Sequence, residues 1–246
     1  MSGAGSYAVG MSHRPGPDEI VVVAGIPRSG TSLLMQMLGA GGMPLLCDGV
    51  RAPDPDNPRG YFELEAARRL ARESGWLVAA RGRAVKIVHA LVPELPAQHR
   101  YRVLLVERRM DEVLASQERM LARAAQRDGT PPPAADERLG AVFAAQSTRL
   151  KRWLDAQPNV RWLLVPHADL IARPLGWAAR IDEFLGGVLD RDAMASVVEP
   201  SLYRARGAPA GAGPVSDRSE VVGSCSGPSP LAPASERGEV DRSKRR

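Results

Sequence analysis

A chain of 246 residues with 44% hydrophobic residues and a net charge of +5 has ample length for one domain with a sizeable core. The basic balance favours anionic ligands, but aromatics are only 4% and no basic stripe is interleaved with them, which excludes a nucleic-acid-binding reading. There is no signal-peptide core and no bilayer-length apolar run, so a cytoplasmic location without a membrane span is expected, and Cys47 and Cys225, lacking any metal-ligand spacing, are expected to be unpaired thiols.

Residues 1–18 are rich in Gly, Ser and Pro and are expected to form a disordered tail. Glu19 to Ala24 is a continuous apolar run of the kind buried in a parallel sheet. It leads into Gly25-Ile26-Pro27-Arg28-Ser29-Gly30-Thr31-Ser32, a Gly-bounded loop that opens an amphipathic helix. Such a loop turns backbone N–H groups and a helix N-terminus toward a phosphate. The glycines are spaced as in the nucleotide-hydrolysing loop G-x-x-x-x-G-K-[ST], but Thr31 stands where that loop has its Lys. ATP or GTP chemistry is thereby disfavoured, and Arg28 supplies positive charge instead. The helix is expected over Thr31 to Leu38, ended by Gly39, Gly41 and Gly42.

Asp48 to Gly60 is a Pro/Asp-rich loop, followed by a helical pattern from Phe62 to Glu73. Ala84 to His89 reads as the second strand and Tyr101 to Val106 as the third, with a helix over Asp111 to Ala125. Gly129 to Pro133 interrupts the chain before a long helix from Asp136 to Ala156. Val160 to Val165 is the fourth strand, and helices over Pro174 to Leu185 and Asp190 to Val198 follow. Strands alternating with helices predict a single three-layer α/β domain over 19–207, its central, mainly parallel sheet flanked by helices. Residues 208–246, rich in Ala, Gly, Pro and Ser, are expected to be a second disordered tail.

Two motifs together resemble the PAPS-dependent sulfotransferases, which use 3′-phosphoadenosine 5′-phosphosulfate. Pro27-Arg28-Ser29-Gly30-Thr31-Ser32 resembles that family's 5′-phosphosulfate loop, commonly Pro-[Lys/Arg]-Ser-Gly-Thr-[Ser/Thr]. The family also carries an Arg at the end of the strand corresponding to Tyr101–Val106 and a Ser eight positions later, both gripping the 3′-phosphate. Arg108 and Ser116 keep that spacing, whereas Arg109 falls one residue short. A guanidinium offers paired donors to phosphate oxygens and a hydroxyl adds a neutral one. The resemblance covers roughly Ile20 to Gly207. It implies a P-loop-type fold, PAPS as cosubstrate, the bisphosphate PAP as product, no metal, and sulfuryl transfer to a hydroxyl or amine.

Carried over residue by residue, the resemblance puts Pro27, Arg28, Ser29, Gly30, Thr31 and Ser32 around the phosphosulfate. Arg28 replaces a loop Lys that acts on the bridging oxygen; since an Arg keeps its proton, its role is electrostatic. Lys86, the only Lys before Lys151, lies 22 positions before Arg108, where the family often has a Lys near the leaving group. An edge-strand Lys facing water is the alternative reading. For the general base, animal cytosolic members use the His of Lys-Thr-His. Here Lys86-Ile87-Val88-His89 is one residue longer, and in a strand that flips the side chain to the other face. Other members use a Glu, and Asn57-Pro58-Arg59-Gly60-Tyr61-Phe62-Glu63 resembles a segment of many bacterial members that sets Glu63 at a helix start. Glu63 and His89 both stand as candidate bases, Glu63 ahead; a first-turn carboxylate stabilising the helix dipole is the alternative for Glu63. Arg204-Ala205-Arg206-Gly207 is similar to, though not identical with, an Arg-Lys-Gly that holds the 3′-phosphate, which adds Arg204 and Arg206 as candidates. Trp76, Trp153, Trp162 and Trp177 are expected in core packing, so no adenine-stacking residue is assigned.

Two further readings stay open. Val103 to Glu107 could pass for a Walker B strand whose carboxylate holds Mg²⁺, as in a kinase-like phosphotransferase using ATP. The loop also suits a non-catalytic nucleotide-binding relative. Acceptor and oligomeric state are not written in the sequence.

Overall fold

Five short strands carry the apolar runs into one sheet, in a computed structural model that describes residues 18–54, 57–131 and 138–199. They are β1 (Glu19–Gly25), β2 (Leu45–Leu46), β3 (Ala84–Val88), β4 (Arg100–Glu107) and β5 (Val160–Pro166), in the order β2-β3-β1-β4-β5 and parallel throughout. The helices are α1 (Thr31–Ala40), α2 (Met110–Asp128), α3 (Leu139–Ala156), α4 (His167–Ala172), α5 (Pro174–Leu185) and α6 (Arg191–Ser196). Arg204, Arg206 and the expected tails, apart from Asp18, lie outside the described residues.

Alternation along the strands builds two cores, because successive side chains leave opposite faces of a sheet. Val21, Val23, Leu104, Val106 and Val165 pack with α1, α4, α5 and α6 on one face. Ile20, Val22, Ala24, Val103 and Leu105 meet Leu150 and Leu154 of α3, with Leu77 and Val92, on the other. Each fully buried side chain of this size contributes about 1.5–3 kcal/mol. Trp177 belongs to the first core, and Trp76, Trp153 and Trp162 pack against the second, as expected of them. No helix among the described residues is long and apolar enough to cross a membrane.

Several local expectations change. The helical pattern over Phe62 to Glu73 condenses to a single 3-10 segment, Glu65–Arg69. Leu64 and Leu70 turn to the second core and Ala67, midway between them in sequence, is also buried, the three-residue period at which a 3-10 turn stacks its side chains. Ahead of it Phe62 has φ of 52°, which no helix tolerates, and the Asp48 carboxylate accepts the Glu65 backbone N–H at 2.5 Å. β3 ends at Val88, and His89 opens another 3-10 segment, His89–Glu94. A fifth strand, β2, was too short to register as an apolar run. Cys47 is buried; the chain's other cysteine lies outside the described residues.

Central β1 has β3 on one side and β4 on the other, so the chain leaves it in both directions along the sheet. In open α/β sheets that reversal leaves a crevice beyond the carboxyl ends of the strands. Gly25, Val88, Arg108 and His167, at or just past the ends of β1, β3, β4 and β5, all line one cavity there of about 460 Å³.

Candidate functional site

The loop after β1 is shaped by two glycines with no room for a side chain. A Cβ on Gly25 would lie 2.9 Å from the Val106 carbonyl oxygen and 2.3 Å from Ser29 Oγ, so the loop packs straight onto the sheet edge. Gly30 has φ of +103°, and a Cβ there would lie 2.3 Å from His167 Cδ2. Gly30 is also the N-cap of α1, whose first turn has neither a side-chain cap nor an acidic residue. Its orphan N–H groups and the positive end of the helix dipole are thus available to an anion at the cavity wall. Pro27, Arg28, Gly30, Thr31 and Ser32 line that wall, while Ser29, fully buried, turns its hydroxyl beneath the loop.

Arg28 adopts φ of 68°, a left-handed conformation uncommon for a non-glycine residue. This turn aims its side chain across the cleft, where Nε donates to Ser116 Oγ at 3.0 Å. Arg108 donates from Nη1 to the Arg28 carbonyl at 3.1 Å and from Nε to Glu112 at 2.9 Å. Two positions 80 residues apart in sequence are therefore joined. Arg109 instead points out, 72% exposed, onto Asp111. The eight-residue spacing picks the inward arginine because the strand turns Arg108 over the loop before α2 begins.

Lys86 is not an edge lysine facing water. β3 is flanked by β1 and β2, and Lys86 Nζ donates to the Tyr61 carbonyl at 3.0 Å and to Ser32 Oγ at 3.2 Å. Burial pushes its pKa below the ordinary lysine value, although Glu63, 3.5 Å away, opposes that shift. Glu63 sits beyond the Phe62 kink rather than in a helical turn, which removes the helix-dipole reading. Its carboxylate meets Arg68 at 2.9 Å, Arg51 at 3.2 Å and Lys86 at 3.5 Å. Burial raises its pKa, but Lys86 and the two arginines outweigh it and hold the carboxyl below its ordinary value.

His89 is not brought into the cleft. It is buried on the α3 side, with Nε2 2.7 Å from Gln146 Oε1 and its ring edge-on to Phe143. β3 ends at Val88, so His89 has left the strand and opens the 3-10 segment against α3, and the candidate base at 89 is not among the residues that line the cavity. Glu107, the carboxylate of the Walker B reading, accepts from Lys151 at 2.6 Å and does not line the cavity.

The sequence reading missed several cavity residues. Arg119 and Arg123 follow Ser116 at three and seven positions, so their common helix face was available as a signal. Arg51, Arg59, Tyr61 and His167 come from loops and a strand end, where no period marks them. Burial, with Arg108 beside it, drives the His167 pKa down to about 4 against the pull of Glu112, so the imidazole is neutral at pH 7. Among the described residues, seven Lys/Arg side chains and two carboxylates, Glu63 and Glu199, line the cavity.

No family model matches this chain, and no curated protein matches its sequence. Among solved structures, the sulfotransferase domain from the Synechococcus PCC 7002 olefin synthase aligns over 82% of this chain and 92% of its own, at 17% identity and TM-score 0.46. The sulfotransferase domain from the curacin biosynthetic pathway covers 75% of this chain and 79% of its own, at 16% identity and TM-score 0.43. A sulfotransferase from Alicyclobacillus acidocaldarius covers 75% and 87%, at 19% identity and TM-score 0.40.

Proposed function

We propose that this chain is a sulfotransferase that takes its sulfuryl group from PAPS, passes it to a hydroxyl or amine, and releases PAP. The observation that carries the reading is the meeting of Arg28, Arg108 and Ser116 beside the uncapped start of α1, in one cation-rich cleft. A nucleoside 3′,5′-bisphosphate carries its two anionic groups on one ribose, and the loop and the adjoining Arg108/Ser116 pair would take one each. Bound PAPS would bring an activated sulfuryl group; the protein's part is to bind, to neutralise charge and to take a proton.

The backbone N–H groups of the loop, with Thr31 and Ser32, hold the 5′ end. Arg28 offsets the charge building on the departing phosphate, a contribution of about 2.7–4 kcal/mol for one such donor. Lys86, fixed by Ser32 and the Tyr61 carbonyl, adds positive charge on the same side. Glu63, ionised at neutral pH by its cationic neighbours, accepts the acceptor's proton. Arg204 and Arg206, which lie outside the described residues, remain in the proposal as 3′-phosphate ligands on the resemblance of Arg204-Ala205-Arg206-Gly207 alone. The phosphotransferase reading needs a carboxylate at the end of β4 facing the cleft, and Glu107 faces Lys151 instead.

Thermal unfolding with added nucleotide tests the reading. PAP in the presence of EDTA should raise Tm, by the equivalent of about 2.7 kcal/mol at 100 times its Kd. Stabilisation by ATP with Mg²⁺ and none by PAP would overturn it.

A further inference from the structure

We propose that the acceptor carries an oxyanion, a carboxylate or a phosphate, and that Arg51 binds it at the mouth of the cleft. The inference rests on the sulfotransferase reading and adds the acceptor's chemical class to it.

The charge balance of the cleft gives the first reason. Among the described residues, its seven Lys/Arg side chains face two carboxylates. The donor in the reading above engages Arg28, Lys86 and Arg108, all on the loop side. Glu63 meets Arg51, Arg68 and Lys86, and Arg68 is shared with Glu65, so three cations face two carboxylates and the cluster keeps a net positive charge of one. In a partly desolvated cleft such an excess is best met by a ligand anion.

Arg51 is built to receive it. Its guanidinium stacks on the Tyr61 ring, 3.3 Å from the ring centroid. Tyr61 is itself buried and donates its hydroxyl to Asp54 Oδ2 at 2.7 Å. Nη1 of Arg51 is spent on Glu63 Oε1 at 3.2 Å. Pinned by a ring below and a carboxylate at one corner, the guanidinium has further N–H donors in its rigid fork, and 41% of the side chain is exposed. Little rotamer entropy is lost when it binds. An acceptor hydroxyl beside Glu63 would place a group a few bonds away against Arg51, which sets the anion's position relative to the reacting atom.

The test is calorimetric titration of PAP-saturated protein with three phenols alike in size: 4-hydroxyphenylacetate, its neutral analogue tyrosol, and the cation tyramine, with 4-hydroxyphenyl phosphate as a fourth arm. The anionic probes should bind about ten-fold or more tightly than tyrosol, with tyramine weakest. The better of the two anions identifies the group. Arg51→Gln should erase the preference, and Arg51→Lys should leave a reduced one, while PAP affinity stays within about two-fold in both. No binding of either anion, no preference, or a preference that survives in Arg51→Gln would overturn the proposal. Titrations without nucleotide separate the two claims. Failure of PAP to bind removes the sulfotransferase reading, whereas anion binding that Arg51→Gln abolishes still supports the subsite.

Discussion

Arg28 and Phe62 hold φ at 68° and 52°, the first in the loop that lines the cleft and the second between the cleft residues Tyr61 and Glu63. Left-handed backbone in a non-glycine residue costs about 1–3 kcal/mol and persists only where the surroundings over-determine it. At Arg28 the turn sends the side chain to Ser116 and leaves the carbonyl for Arg108. Arg108→Ala should therefore weaken PAP binding by about 1.5–3 kcal/mol, roughly ten- to hundred-fold in Kd. Arg109→Ala, its exposed neighbour, should leave Kd unchanged by the same calorimetry, and equal effects from the two would remove Arg108 from the site. His167 gives a prediction about stability. Its pKa is lowered to about 4 by burial, from an ordinary 6.5, so the unfolded chain binds the extra proton first. Stability is complete above pH 6.5 and falls as pH drops toward 4, by about 3 kcal/mol from this residue. Chemical denaturation at both pH values should show that loss shrinking in His167→Gln; an unchanged slope would contradict the assignment.

At the scale of elements, the loop and α1 form one device whose geometry leaves no room at Gly30. Gly30→Ala forces a Cβ to within 2.3 Å of His167 Cδ2 at φ of +103°, so loop or histidine must move. The backbone conformation alone costs about 1–2 kcal/mol for an L-residue. The variant should melt lower than the parent and lose PAP-dependent stabilisation; full retention of both would mean that the loop does not cradle the nucleotide. The 3-10 segment Glu65–Arg69 shows the limit of pattern reading. Leu64, Ala67 and Leu70 suit either a helix or a 3-10 turn, and what decided was Phe62, a conformation that composition does not reveal.

For the molecule as a whole the net charge is +5, and among the described residues the cleft holds seven Lys/Arg side chains against two carboxylates. A cleft of one sign steers a multiply charged ligand toward itself, and salt screens that attraction. Stopped-flow association of PAP should slow by about ten-fold or more between 20 mM and 500 mM salt. A salt-independent rate would show that the excess charge is neutralised before the ligand arrives.

The loop and the Arg108/Ser116 spacing were legible in the sequence because each is local. Glycines at fixed offsets dictate a turn, and eight residues past a strand end give one position on a helix. The apolar runs of β1, β3, β4 and β5 and the alternation of strand and helix likewise set the parallel α/β architecture. Which residues share the cleft was decided only when β3, β1 and β4 lay side by side. Sheet order brings Lys86 over the loop, the 3-10 turn that follows β3 carries His89 to α3, and the loops between β2 and Glu63 gather Arg51, Tyr61 and Glu63. Contacts between residues far apart in the chain leave no periodic trace in it, since they depend on how separate elements pack.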